Sequence, residues 1–226
     1  MAGRNRRVSI LEVMGPVMVG PSSSHTAGTA RLGRVAREIL DEDPVEVHFY
    51  LNPPLYATFR GHGSDFALTA GSIGLNVDDP RIPEALRIAE QLGVKVDFSE
   101  EDLGEVHPNT VRIAAHGRTR SVEIIGSSIG GGVIDVFSID GFSARFKGDS
   151  PTLLMFYRDR PGMIHQTTEI IADEGINIAS LACSRRQRGK EAFMQIDVDS
   201  PLSTRALERI RGLTDVTEAR YLDPIP

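Results

Sequence analysis

The C-terminal third of the chain carries the pattern that constrains the fold most. Short apolar runs typical of strands alternate there with helical repeats, and turn residues separate them. The predicted elements, in chain order, are a strand at Thr152–Tyr157, a helix at Met163–Asp173, strands at Asn177–Arg186 and Glu191–Val198, a helix at Thr204–Ile210 and a strand at Val216–Leu222. Ser203 is expected to cap the second helix. This order of elements predicts a ferredoxin-like βαββαβ unit.

The N-terminal part of the chain has a less regular pattern, which predicts a mixed α/β domain. The predicted elements there are a helix after Thr26, strands at 45–51 and 94–98, helices at 65–70 and 83–92, and hairpins that turn at His116-Gly117 and Asp140-Gly141. The glycine-rich segment Gly126–Gly132 lacks the lysine of a phosphate-binding loop. It is interpreted as a bend between strands, with Ser127 and Ser128 as further candidates to border a pocket.

A polar segment at Lys147–Pro151 separates the two patterns. It predicts one domain at 1–147 and a second at 152–226. The fold class is therefore predicted as α+β, with the mixed N-terminal domain followed by the ferredoxin-like unit.

The composition excludes several classes of function. The 226 residues carry a net charge of −6, which argues against a surface that binds nucleic acid. No apolar stretch is long enough to span a membrane. The single cysteine, Cys183, cannot form a disulfide within the chain, which predicts a cytoplasmic protein. It cannot by itself ligate an iron–sulfur cluster, and it is interpreted as a small core residue.

The segment Gly20–Thr26, which reads GPSSSHT, carries the most chemistry per residue. Its serines precede a predicted helix, where hydroxyls can cap backbone N–H groups or bind a ligand, and where an anion such as a carboxylate is favoured. The positive end of the helix also disfavours the charged form of His25, and a neutral imidazole is what a general base requires. The alternative is that these residues only cap the helix.

A second polar loop, Gly61–Asp65, reads GHGSD and offers His62 and Asp65 as site candidates. Its glycines allow close approach of the backbone to a ligand. The alternative is an ordinary loop in which Ser64 caps the following helix. The remaining histidines show no spacing typical of metal ligands, so no metal site is predicted within this chain.

Two further segments, Asp159–Ile164 and Glu174–Ile178, resemble the signature of the ACT domain. The resemblance implies an amino-acid effector site and self-association through paired ACT domains. The residues that it implies for effector binding are Pro161, Gly162, Met163 and Asn177. The alternative is an ACT domain that serves only assembly.

The segment Gly20–Thr26 also resembles the signature of iron–sulfur-dependent L-serine dehydratases. In two-chain members this domain lies on a β-chain that ends in an ACT domain. The resemblance implies deamination of L-serine to pyruvate and ammonia with His25 as the base, and a [4Fe–4S] cluster held by a separate α-chain. It further implies a substrate site that includes Ser23, Ser24, Thr26, His62 and Asp65.

Two other interpretations remain open at this stage. The first domain also resembles the allosteric substrate-binding domain of some D-3-phosphoglycerate dehydrogenases, so the chain could be a serine-sensing module without catalytic activity. It could also be a free-standing amino-acid-binding regulator, which would have no α-chain partner.

Overall fold

The computed structural model describes residues 17–226 and contains two β-sheets. The first sheet has six strands in the order β2-β1-β3-β4-β5-β6. Its strands are β1 (Glu46–Leu51), β2 (Lys95–Glu100), β3 (Thr110–His116), β4 (Ser121–Gly130), β5 (Val133–Ile139) and β6 (Phe142–Phe146). Strands β1 and β2 are parallel, and the other neighbours in this sheet are antiparallel.

One face of this sheet is covered by helices. They are a π-helical turn (Ser23–Ala27), α1 (Gly28–Leu40), α2 (Pro53–Tyr56), α3 (Ser64–Ser72), a 3-10 turn (Ile82–Glu84) and α4 (Ala85–Gln91). Side chains alternate between the two faces of the sheet along β1, and Val47, Phe49 and Leu51 are on the buried face. They belong to the same core as Leu32 and Ile39 of α1. The predicted mixed α/β domain is confirmed.

Helices α1 and α3 pack in direct backbone contact. A Cβ atom at Gly71 of α3 would lie 2.0 Å from the carbonyl oxygen of Ala30, and one at Gly33 of α1 would lie 2.3 Å from the carbonyl oxygen of Leu68. Only glycine leaves room for such an approach. The two glycines therefore bring the N-terminal ends of the two helices side by side.

The second sheet has four antiparallel strands in the order β10-β7-β9-β8. Its elements are β7 (Thr152–Arg158), α5 (Met163–Asp173), β8 (Ile178–Arg185), β9 (Glu191–Val198), α6 (Thr204–Arg211) and β10 (Val216–Leu222). The hydroxyl of Ser203 accepts a hydrogen bond from the backbone N–H of Ala206 at 3.1 Å, as predicted for the cap. The βαββαβ prediction is confirmed.

The two sheets share a core at their junction. Residues of β7 and β9 alternate, so that Met155 and Met194 face helices α5 and α6 while Leu154 and Phe193 join the core of the first domain. The side-chain amide of Gln195 also bonds both backbone groups of the edge strand β6 at Arg145, at 3.0 and 2.9 Å. The two domains are therefore held by apolar packing and by a strand-like polar contact.

Arg31 of α1 ties the helix to the chain segments beyond the first sheet. Its guanidinium donates hydrogen bonds to the carbonyl of Gly132 at 2.9 Å, to the carbonyl of Ile225 at 3.0 Å and to the carboxylate of Asp149 at 3.1 Å. One side chain thus joins the π-turn's helix to the interdomain linker and to the C-terminal tail.

Two local predictions are wrong. The segment Gly126–Gly132 is not a bend throughout, because residues up to Gly130 continue β4 and only the last glycines turn the chain. Cys183 is exposed and not a core residue, because β8 is the edge strand of its sheet. Among the described residues, no helix combines the length and the apolar character needed to cross a membrane.

Candidate active site

The π-helical turn at Ser23–Ala27 presents the GPSSSHT segment. Ser22 caps it, because its hydroxyl accepts the backbone N–H of His25 at 3.1 Å. The N–H of Gly28 closes the wide turn on the carbonyl of Ser23, and α1 continues from there. Single π-turns in helices occur often at functional sites, since they change the direction of one or two side chains. Here the turn contains His25.

The imidazole of His25 is half-buried and held from one side. Its Nδ1 lies 3.3 Å from the hydroxyl of Ser22 and 3.2 Å from that of Ser24. In the tautomer with the proton on Nδ1, the ring donates to these hydroxyls and keeps a lone pair on Nε2. No hydrogen bond within residues 17–226 involves Nε2. The ring can therefore accept a proton from a ligand at that atom.

The second polar loop places His62 next to His25. The two ring centroids are 4.7 Å apart and the rings are tilted by 32°. Burial, and to a smaller extent the charge that His62 can carry, lower the pKa of His25 below its ordinary value of 6.5. His25 is therefore neutral at pH 7, the form that a general base requires.

Backbone anchors fix the position of His25. Its carbonyl oxygen accepts hydrogen bonds from the hydroxyls of Thr29 and Ser64, both at 2.7 Å. Ser64 therefore does not cap α3, whose N-cap position is held by Gly63 with φ +71° and no side-chain cap. No local sequence pattern predicts this bond, because it joins residues 39 positions apart.

Thr26 joins the same two segments. It is 2 % exposed, and its hydroxyl donates to the carbonyl of His62 at 3.3 Å. A Cβ atom at Gly20, where φ is +131°, would meet the side chain of Thr26 at 2.3 Å, so the glycine that opens the motif is required. The structure thus gives Thr26 a buried linking contact, and its predicted contact with substrate stays a prediction.

Two buried polar groups at this site lack partners among residues 17–226. They are Oδ1 of Asp65, in the first turn of α3, and the hydroxyl of Ser128 on β4. Burial raises the pKa of Asp65 above its ordinary value. A Cβ atom at Gly28 would lie 1.8 Å from the Ser128 hydroxyl, so that hydroxyl touches the first residue of α1. Buried polar groups without partners are rare in native proteins and are typical of functional sites.

The structure therefore brings most of the predicted substrate-site residues together. Ser24, His25, Thr26 and His62 are linked by direct contacts, and Asp65 follows the anchoring Ser64. The arrangement offers a neutral base, hydroxyl donors and a helix start for an anionic group. These are the groups needed to bind a small hydroxy or amino acid and to remove a proton from it.

The ACT turn forms a cavity of about 380 Å³, which is lined by Pro161, Gly162, Met163 and Cys183 among others. Gly162 has φ +90° and precedes α5. Asn177 does not line this cavity, and its side-chain amide donates to Asp199 at 2.8 Å. The structure thus groups three of the four predicted effector residues and leaves Asn177 apart in this chain.

An iron–sulfur cluster does not fit the donor set of this chain. A cluster takes several thiolates, and the chain has one cysteine, which lies on β8 of the ACT domain rather than near His25. The described residues also contain no group of three or more His, Cys, Asp or Glu side chains that could hold a metal ion.

Comparison with known proteins agrees with a division into an N-terminal α/β domain and a C-terminal ferredoxin-like domain. The family model of the ACT domain matches residues 152–215. The chain is 36% identical to the probable L-serine dehydratase, beta chain, of Bacillus subtilis, over 93% of this chain and 96% of that one. It is also 36% identical to the L-serine dehydratase, beta chain, of Peptoniphilus asaccharolyticus, over 95% of this chain and 98% of that one.

A more distant similarity is to the D-3-phosphoglycerate dehydrogenase of Methanocaldococcus jannaschii, at 25% identity over 58% of this chain and 24% of that protein. The fold and the site thus define a two-domain protein in which an α/β domain with a histidine-bearing π-turn precedes an ACT domain. Within that class, the chain belongs to the family of L-serine dehydratase β-chains.

Proposed function

We propose that this chain is the β-subunit of an enzyme that deaminates L-serine to pyruvate and ammonia. The observation that carries the proposal is the position of the His25 imidazole, which is held at Nδ1 by two serine hydroxyls and is open at Nε2. Burial lowers the pKa of this imidazole, which favours its neutral form. The near-full-length similarity to L-serine dehydratase β-chains supports the choice of substrate.

In the proposed reaction, Nε2 of His25 accepts the α-proton of serine, the Cβ–O bond breaks, and the leaving oxygen departs as water, so that the proton taken up by His25 is balanced by the proton that the leaving group receives. The product, aminoacrylate, tautomerises to an imine that water hydrolyses to pyruvate and ammonia. The hydroxyls of Ser23 and Ser24 and the start of the helix bind the substrate carboxylate. His62 and Asp65 line the same site from the second loop.

The cofactor is proposed to be a [4Fe–4S] cluster on a separate α-chain, since one cysteine cannot hold it. This chain alone is then inactive. Turnover of serine by the isolated chain, without iron and without a partner, would contradict this assignment.

The test of the base is His25→Ala in the complex reconstituted from both chains. We expect kcat to fall by about 10²–10⁴-fold, the usual contribution of a general base. His165→Ala is the matched control, because His165 lies in the ACT domain with its side chain 77% exposed. The pH profile of the unchanged enzyme should show a loss of kcat/KM as the pH falls through the lowered pKa of His25.

The alternative of a serine-sensing module is supported by the partial similarity to D-3-phosphoglycerate dehydrogenases. It predicts the opposite result for the same variant. A reconstituted His25→Ala complex that keeps the maximal rate, and loses only its response to serine concentration, would establish that alternative.

We also propose self-association through the ACT domain. Strand β8 is a sheet edge with open backbone groups, and Leu181 on this strand is 37% exposed. Ile164 at the start of α5 is also exposed, at 49%. Such an edge is a template for pairing with another chain. Leu181→Lys is expected to lower the oligomeric state in sedimentation analysis, and an unchanged state would contradict the proposal.

A further inference from the structure

A groove of about 760 Å³ lies at the junction of the two domains, next to the cavity at the ACT turn, with which it shares Tyr157 and Ala192. Its walls are the β5–β6 turn at Asp140 and the β8–β9 turn at Gln187–Lys190. Phe142 of the first domain and Phe156 of the ACT sheet form its apolar floor, with ring centroids 5.9 Å apart. A groove of this volume is within the range of small-molecule sites.

The groove is lined by three cationic residues, Arg158, Arg186 and Lys190, and by three carboxylates, Asp140, Glu191 and Glu218. Asp140 and Glu218 both pair with the buried guanidinium of Arg220, at 3.9 and 2.7 Å. Arg186 pairs with Glu191 at 3.4 Å, so these two charges offset each other. Arg158 and Lys190 also line the groove, and neither belongs to a salt bridge among residues 17–226. Two exposed cations therefore stand at the rim of an apolar floor.

A buried arginine, Arg220, lies below the floor of the groove. Arg220 has a side chain only 7% exposed, and its guanidinium lies 5.5 Å from the ring centroid of Phe156. It forms two hydrogen bonds with Glu218, both at 2.7 Å. Its Nη1 has no hydrogen-bond partner in the described part of the chain and is 3.9 Å from Asp140. Arg220 does not itself line the groove, and its charge offsets the two carboxylates Asp140 and Glu218.

We propose that this interdomain groove binds a small organic anion with an apolar body. Arg158 and Lys190 attract the anionic group, and Phe142 and Phe156 contact the body. The site is independent of His25 and of the Pro-Gly turn of the ACT domain. Because its walls come from both domains, a bound ligand also favours the docked arrangement of the two domains.

The test uses 8-anilinonaphthalene-1-sulfonate, an aromatic anion whose fluorescence rises on apolar surfaces, with the full chain. We expect saturable binding of one probe per chain. Lys190→Glu and Arg158→Glu should each weaken it by about tenfold. Arg188→Glu is the matched control, because Arg188 lies on the same turn, is exposed and does not line the groove.

Two further measurements locate the probe and define its class. N-phenyl-1-naphthylamine has the same rings without the sulfonate, and it should bind about tenfold more weakly. Thr217→Trp, which fills the groove, should abolish binding, whereas Leu181→Lys at the open ACT edge should leave it unchanged. The proposal would be overturned by any one of three results. These are equal affinity of the charged and uncharged probes, equal effects of the three charge reversals, and loss of binding in Leu181→Lys.

Discussion

The contact between helices α1 and α3 gives a prediction whose size follows from the structure. In Gly71→Ala the new methyl carbon would lie 2.0 Å from the carbonyl oxygen of Ala30 and 2.6 Å from the backbone nitrogen of Arg34. Both neighbours are backbone atoms inside a helix, so no side chain can rotate away. The two helices must separate by about 1 Å to restore ordinary contact.

Two opposing effects set the change in the free energy of unfolding. Replacing glycine by alanine within a helix stabilises it by about 1 kcal/mol. Overpacking a well-packed interface costs about 1–3 kcal/mol, and the upper end applies because backbone is displaced. The net destabilisation is therefore about 1–2 kcal/mol, which lowers Tm by roughly 2–8 °C in a chain of this size.

The assay is calorimetric or circular-dichroism melting of Gly71→Ala beside Gly61→Ala. At Gly61 the nearest atom to a new Cβ is the carbonyl oxygen of Thr58 at 3.6 Å, and the change should be within about 0.5 kcal/mol. The Gly71 variant should also lose turnover in the reconstituted complex, since His25 lies in the π-turn that leads into α1 and its anchor Ser64 is the first residue of α3. Equal Tm values for the two variants would refute the reasoning.

Three further predictions concern His25 and the junction of the domains. His62→Ala should raise the pKa of His25, because a second imidazole that can become charged is removed; an NMR titration of the ring protons without an upward shift would contradict this. The pKa of His25 in the folded chain lies below 6.5, so its contribution to stability is present above pH 6.5 and declines as the pH falls through the folded-state pKa. Urea unfolding at several pH values should therefore show a steeper change of the unfolding free energy with pH in the parent chain than in His25→Gln. Arg31→Ala removes the hydrogen bonds to Ile225 and its neighbours and should cost about 1–3 kcal/mol in urea unfolding. Arg37→Ala, which breaks an exposed ion pair, is the control and should cost about 0–1 kcal/mol. Equal losses of stability in the two arginine variants would contradict a stabilising role for the Arg31 hydrogen bonds.

The sequence determined the local structure well wherever local forces set it. Helix Met163–Asp173 and strand Glu191–Val198 have the predicted bounds, because hydrophobic periodicity and glycine or turn residues define their ends. The hairpin at Asp140-Gly141 is also as predicted, since both residues adopt the positive φ that such a turn requires. The motif containing His25 and the family resemblance were likewise readable from the sequence.

Only the tertiary structure decided how the site is assembled. The bond from Ser64 to the carbonyl of His25 and the contact of Ser128 with Gly28 join segments that are far apart in the chain. The exposure of Cys183 follows from the position of β8 at the edge of its sheet, which depends on strand order and not on the composition of the strand. Local patterns encode propensity and burial periodicity, whereas these features arise from packing between elements, and packing is decided by the whole chain at once.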